Sequence, residues 1–335
     1  MIISRVDAVD VGEWTMGTLI SNQSGQFKEI MLSPCIPSAN LVSVAGNRRA
    51  LALPRGDQRG RPHTVCNNSV TMKSSCVLGI DVGGSGIKAG LVDCQTHQLV
   101  TERLRRETPN DGKPKPILAA IASLAEELNW RGPVGVGFPG VIQAGVIKTA
   151  ANLDASWLGR VLADDLSALG LTDVTVLNDA DAAGYGELQA IPEAEQTGSH
   201  LFLTIGTGVG SAWLANGELI ANTEFGHLLV RPSQRKKTIE IETYLSKVTR
   251  KSQKISWEGW AARCNEALAA LHQWLWPDRF ILGGGAAKRW EKFGEHLRAP
   301  VPVRPARLGN DAGVIGAAAF AAHHSKQLRP ADFPA

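Results

Sequence analysis

From Met1 to about Ser75 apolar and polar positions settle into no lasting pattern, because Gly, Pro, Ser, Asn and Arg are scattered between short apolar runs. Residues 1–75 therefore read as a mostly disordered extension. Met72, four residues before the first convincing strand, is an alternative start for the protein. The pattern changes at Cys76, where CVLGIDV is a short apolar strand ending in a glycine-rich turn, with GLVD around Leu91 as its hairpin partner. After Pro116, the spacing of Ile117, Ala120, Ile121, Leu124 and Leu128 predicts one apolar helix face opened by proline. VGVGF from Val134 and VTVLN from Val174 are two further buried strands. The second runs straight into a helix at Asn178-Asp179, a junction where loop chemistry is expected.

The opening pattern returns near Leu201, since LFLTIGTGVGSAWLANGELIA is again strand, glycine turn, strand, with Asn216-Gly217 as a two-residue hairpin signal. A shift of 123 residues places Thr204 on Asp81, which suits two duplicated α/β lobes. A long helix from about Trp257 to Trp276, the strand RFILGGG and an Ala-rich helix from Asp311 to about His323 complete the second lobe. The expected division is an N-terminal lobe over 76–198, a C-terminal lobe over 199–323 and a loose tail over 324–335.

Composition changes this picture little. The 335 residues hold 35 basic and 32 acidic side chains, and residues 76–335 carry 27 of each, so net charge does not argue for nucleic acid. No window approaches the run of roughly 18 apolar residues that a membrane span needs. The five cysteines, Cys35, Cys66, Cys76, Cys94 and Cys264, form no C-x-x-C pair and fit a reducing, cytoplasmic setting. The first residues do not read as a basic start followed by a sustained apolar stretch and a small-residue cleavage site, so export is not expected.

Three glycine turns follow apolar strands: Asp81-Val82-Gly83-Gly84-Ser85, Gly206-Thr207-Gly208 and Gly283-Gly284-Gly285. Their amides can approach an anion closely, and Asp81 can hold a metal or its water. One such turn would be explained equally well by glycines that only permit positive φ, whereas three suggest phosphate. Lys88 stands beside the first. Phosphoryl transfer to a hydroxyl needs a carboxylate to take the proton, and Asp179 is the best placed, with Asp181 its rival and N-capping the plainer use of the pair Asn178-Asp179. Glu224 and His227, three residues apart beyond the hairpin, suit the vicinal hydroxyls of a sugar.

The motifs LGIDVGGSGIKAG, WRGPVGVGFPGV, TAANLDASWLG, LNDADAAG, LTIGTGVGSA and NTEFGH, in this order, resemble the ROK family of sugar kinases, especially its polyphosphate glucokinases. The resemblance spans about Cys76 to His323. It implies a two-lobed actin-like fold (hexokinase-type, ribonuclease H-like) with duplicated βββαβαβα lobes. It also implies Asp179 as general base, and Asn152, Asn178, Glu224 and His227 as glucose ligands. Phosphate and Mg²⁺ would be held by Asp81, the latter through water, with Gly83, Gly84, Ser85, Lys88, Gly206, Thr207 and Gly208. Glu242, in Glu242-Thr-Tyr-Leu-Ser246, matches the family's sugar-contacting glutamate. The cysteines that precede it in many members are replaced by VRPSQRKKTIEI, so no zinc is expected.

The expected reaction is transfer of the terminal phosphoryl group of inorganic polyphosphate to the 6-hydroxyl of glucose by a cytoplasmic homodimer. ATP is the alternative donor, with Gly284 and Gly285 as its site. Basic clusters that could follow a polyanion are Arg103-Leu-Arg105-Arg106, Lys113, Lys115, Arg235-Lys236-Lys237, Arg250-Lys251 and Arg304 with Arg307. Of these, Arg105 and Lys236 are the first choices. Trp257, Trp260, Trp274 and Trp276 read as core or dimer surface rather than as a ligand platform. The family also holds sugar-sensing repressors, but residues 1–75 offer no pair of amphipathic helices joined by a short turn, and Asp179 is kept.

Overall fold

The computed structural model describes residues 75–233 and 236–327. The extension with its alternative start, Cys35, Cys66, Arg235 and the tail beyond residue 327 lie outside the described residues. In the first half, β1 (Cys76–Gly83) and β2 (Gly86–Asp93) form a hairpin with Gly83 opposite Gly86. Both β3 (Gln98–Leu99) and β4 (Leu104–Arg106) pair with β2. Helix α1 (Pro114–Glu127) opens with proline in its first turn and buries Ile117, Ile121 and Leu124, while Ala120 and Leu128 are only half-buried.

Strand β5 (Val134–Phe138) lies parallel to β1. A ribbon of β6 (Ile142–Gln143) and β7 (Val146–Ile147), then α2 (Leu162–Ser167), lead to β8 (Val174–Asn178), parallel to β5, and to α3 (Asp179–Gln189). The sheet order is β3-β2-β1-β5-β8.

The second half repeats this. An antiparallel trio comprises β9 (Ser199–Ile205), β10 (Val209–Ala215) and β11 (Glu218–Ile220), with Asn216 and Gly217 both at positive φ in the turn, as the Asn-Gly signal requires. A small ribbon of β12 (Leu229–Val230) and β13 (Ile239–Glu240) precedes α4 (Ile241–Leu245), α5 (Lys247–Ser252) and α6 (Trp257–Leu275). Then β14 (Arg279–Gly283), α7 (Gly284–Ala287), β15 (Val303–Pro305) and α8 (Ala312–Gln327) complete the described chain. The order β11-β10-β9-β14-β15 is the first sheet's order again, so the duplication is one of topology. The central strands are apolar along their length because helices cover both faces.

Two expectations are corrected. The last helix runs to Gln327 rather than stopping near His323. It also covers the first sheet as well as the second, setting Val314, Ile315 and Ala318 against Val77 and Val92 of the first and Ala317 against Leu177, while Ala319 joins Phe202 and Ile281 of the second. Conversely, α3 reaches the second sheet, where Tyr185 and Leu188 share a cluster with Phe202, Ala212 and Leu214. The two helices cross at small residues: a Cβ on Gly316 would stand 1.7 Å from the Ala182 carbonyl oxygen, and one on Gly186 2.4 Å from that of Ala312. Backbone contact this close fixes α3, and the residues at its N-terminus, between the sheets.

Candidate active site

A cavity of about 700 Å³ opens where the strand ends of both sheets meet. Gly84 and Asn152 line it from the first half, and Gly206, Thr207 and Gly208 from the second. Asn178, Asp179, Glu224, His227 and Glu242 also face it. A second chamber of about 210 Å³ holds Asp81, Gly83, Lys88 and Gly284, and Asp179 borders both spaces. Ser85 lines neither; its carbonyl accepts a hydrogen bond from the Arg105 guanidinium at 2.6 Å.

Asn178 is the N-cap of α3: its Oδ1 accepts from the Ala180 and Asp181 amides at 2.8 and 3.1 Å, and its Nδ2 donates to the Gly140 carbonyl at 3.2 Å. The capping use and the cavity position coincide, leaving one amide hydrogen for a ligand. Asp179 follows as the first helical residue. Burial, then the negative charge of Asp81, raises its carboxyl to about 7, with Glu224 adding to the rise and the Ala180 amide and Lys88 opposing it. Asp181 is also pushed to about 7, chiefly by burial. It is fully buried, lines neither cavity and accepts from the Asn222 amide at 2.7 Å, so it is not placed as a rival base.

The carboxylates of the larger cavity are held by residues the motifs contained without singling out. Asn222 exchanges two hydrogen bonds with the Ile142 backbone, at 2.9 and 2.8 Å, and so ties the segment after β11 to the β6 ribbon. Ser211 Oγ accepts from the Phe225 amide at 3.0 Å. Glu224 is raised by partial desolvation and pulled back by His227. Glu242 Oε2 accepts from the Val209 amide at 2.9 Å, and a Cβ on Gly208 would come within 2.5 Å of that same oxygen. This close approach, rather than left-handed backbone, accounts for the glycine, since none of Gly83, Gly84, Gly206 and Gly208 has positive φ. In the third run Gly284 does, at +70°.

Lys88 pairs with Asp81 at 2.6 Å, a contact set by their positions directly opposite in the hairpin. Among the described residues no group of three or more His, Cys, Asp or Glu could hold a metal. Asp81, in a polar chamber that Asp179 and Glu187 also line, suits Mg²⁺, which keeps its waters and takes its other ligands from phosphate.

Beyond the glycine turns lies a groove of about 460 Å³ with Lys247, Arg250, Lys251, Lys288 and Arg289 on its walls and Gly285, Ala286 and Trp260 at its base. None of these five cations is in an ion pair among the described residues. Trp257 packs on the core against Trp260 and Phe293, in keeping with its reading as core or dimer surface, and it lines the groove too, its face covered by the Arg250 guanidinium at 4.0 Å. Trp274 and Trp276 are exposed. Of the basic clusters in the sequence only Arg250-Lys251, among the described residues, reaches this groove. Arg103 is paired with Asp311, Arg106 with Glu127 and Arg304 with Glu195.

Paired sheets of one topology, glycine turns from each on a shared cavity and a carboxylate at the junction define an enzyme of the actin-like, hexokinase-type class. The ROK family model matches residues 77–238. A polyphosphate glucokinase of Mycobacterium tuberculosis is 43% identical over 242 residues, covering 72% of this chain and 89% of its own. The crystal structure of an inorganic polyphosphate/ATP-glucomannokinase from Arthrobacter sp. strain KM superposes with a TM-score of 0.68 at 39% identity, covering 75% of this chain and 99% of that one. A ROK family glucokinase from Streptomyces griseus, solved with glucose and AMPPNP, shares the fold at a TM-score of 0.61 and 22% identity, over 73% of this chain and 98% of that one. The chain belongs to the ROK family.

Proposed function

We propose that this enzyme transfers the terminal phosphoryl group of inorganic polyphosphate to the 6-hydroxyl of glucose. The observation that carries the reading is the position of Asp179, on the border between a cavity rich in hydrogen-bonding side chains and a chamber that leads toward cations and glycine amides. Glucose occupies the larger cavity, held by Asn152, Asn178, Glu224, His227 and Glu242. Asp179 accepts the proton of the attacking hydroxyl, which makes the oxygen nucleophilic as its bond to phosphorus forms, while the bridging P–O bond to the next phosphate breaks and the shortened polyphosphate leaves. Amides of the turns at Gly83-Gly84 and Thr207-Gly208 face the charge that spreads over the transferred group, the Gly206 amide being spent on the Gly208 carbonyl at 2.9 Å, and Lys88 adds to them. Mg²⁺, held by Asp81 through water and by the donor's phosphates, would neutralise charge on those oxygens.

The donor's remaining length lies along the groove of Lys247, Arg250, Lys251, Lys288 and Arg289, a row of cations suited to a repeating anion. ATP is the second reading, favoured by the apolar base of that groove and by Gly284-Gly285 at its edge. The test is formation of glucose 6-phosphate from glucose and polyphosphate, and its loss in Asp179→Asn. A protein that binds glucose yet forms no glucose 6-phosphate from either donor would overturn the assignment.

A further inference from the structure

The chain crosses from the second sheet back to the first through residues 306–311, between β15 and α8. Beneath this crossing lies Glu187, two turns along α3 from Asp179 and 2% exposed. Its carboxylate accepts from the amides of Arg307 at 2.7 Å and Leu308 at 2.8 Å, with the Gly309 amide adding to the stabilisation of its charge. Three successive amides converging on one buried anion form a backbone nest with the usual roles exchanged, since here the protein supplies the anion as well.

The loop so held walls the chamber beside Asp179 with Gly309 and Asn310. Asn310 Oδ1 accepts from Lys288 Nζ at 3.1 Å, so the same loop orients a cation of the groove. Its far side is clamped to the first half, where Arg103 donates to the Asn310 carbonyl at 2.8 Å and pairs with Asp311 at 2.9 Å.

We infer that Glu187 is a positioning residue for the donor side of the reaction: by holding Arg307, Leu308 and Gly309 it sets Asn310 and Lys288 in register with Asp179. This rests on the reading of the chamber and groove as the donor side. Glu187 touches no acceptor ligand, so its loss separates donor from sugar. Glutamine keeps the length but replaces an accepting oxygen with a donor, which cannot face an amide N–H.

The experiment is steady-state kinetics on the full chain with Glu187→Gln, varying polyphosphate and glucose in turn, alongside Asn310→Ala, a change at an exposed residue that leaves the buried carboxylate in place. The expected result is a rise in KM for polyphosphate of about tenfold or more in both variants, with KM for glucose within about twofold. Hydrogen exchange at Arg307, Leu308 and Gly309 should accelerate in Glu187→Gln. Equal rises for both substrates, or an unchanged KM for polyphosphate, would overturn the inference, and Asn310→Ala decides alone if Glu187→Gln does not fold. The double variant Arg250→Ala/Lys251→Ala separates the two failures. If it raises KM for polyphosphate while the loop variants do not, the role of Glu187 falls alone; if it has no effect either, the donor-side reading falls with it.

Discussion

Asp179 has to be ionised to accept a proton, yet it sits where burial and the charges of Asp81 and Glu224 oppose ionisation. With its carboxyl at about 7, kcat/KM should climb as pH rises through neutrality and level off above it, and this acid limb should be read from initial rates. Asp179→Asn should lower kcat by about 10²–10⁴-fold, because the base is lost while the cavity is kept. Asp181→Asn is the control: its side chain can still accept from Asn222, so turnover should stay within about tenfold of wild type.

Stability runs the other way. Between the ordinary carboxylate value of 3.8 and the native value of about 7, the folded state holds more protons at Asp179 than the unfolded state, so stability falls as pH rises. The advantage of the neutral form is complete at low pH and lost above about 7. Asp179→Asn should therefore gain in melting temperature relative to wild type on going from pH 4 to pH 8. A difference that does not change with pH would mean the carboxylate is not desolvated.

At the scale of elements, the crossing of α3 and α8 is the contact on which the site depends. Gly316→Ala would drive a Cβ into the Ala182 carbonyl, backbone against backbone, with no flexible side chain to yield. Denaturant unfolding should show a loss of about 1–3 kcal/mol, with kcat reduced because Asp179 stands at the head of the displaced helix. Unchanged stability would mean that the helices do not approach as closely as this.

The same crossing marks the limit of what the sequence discloses. Hairpins around Gly84 and Asn216 were legible because apolar runs are bounded by residues with specific turn chemistry, and the Asn178-Asp179 junction was legible because a strand abuts a capping residue. The partner of α8 was not, since a helix rich in Ala and Gly has no face large enough to declare which sheet it covers. The Lys88–Asp81 pair depends on hairpin register, and Glu187 looks in sequence like any surface glutamate. Basic clusters misled for a related reason: neighbours in sequence such as Arg103 and Arg106 are spent on separate ion pairs, whereas Lys247 and Lys288 meet only through folding.

For the molecule as a whole, the question is which donor the groove serves. A long polyanion bound by several Lys and Arg side chains releases counterions as each contact forms, so its KM should rise steeply with salt, and that for ATP less. Arg250→Ala/Lys251→Ala should weaken long polyphosphate more than glucose. The most direct measurement compares initial rates of glucose 6-phosphate formation by the full chain with Mg²⁺, glucose and either polyphosphate or ATP at one moderate salt concentration. The account predicts a higher kcat/KM for polyphosphate. A higher value for ATP would contradict the donor assignment, and no glucose-dependent transfer from either would contradict the account altogether.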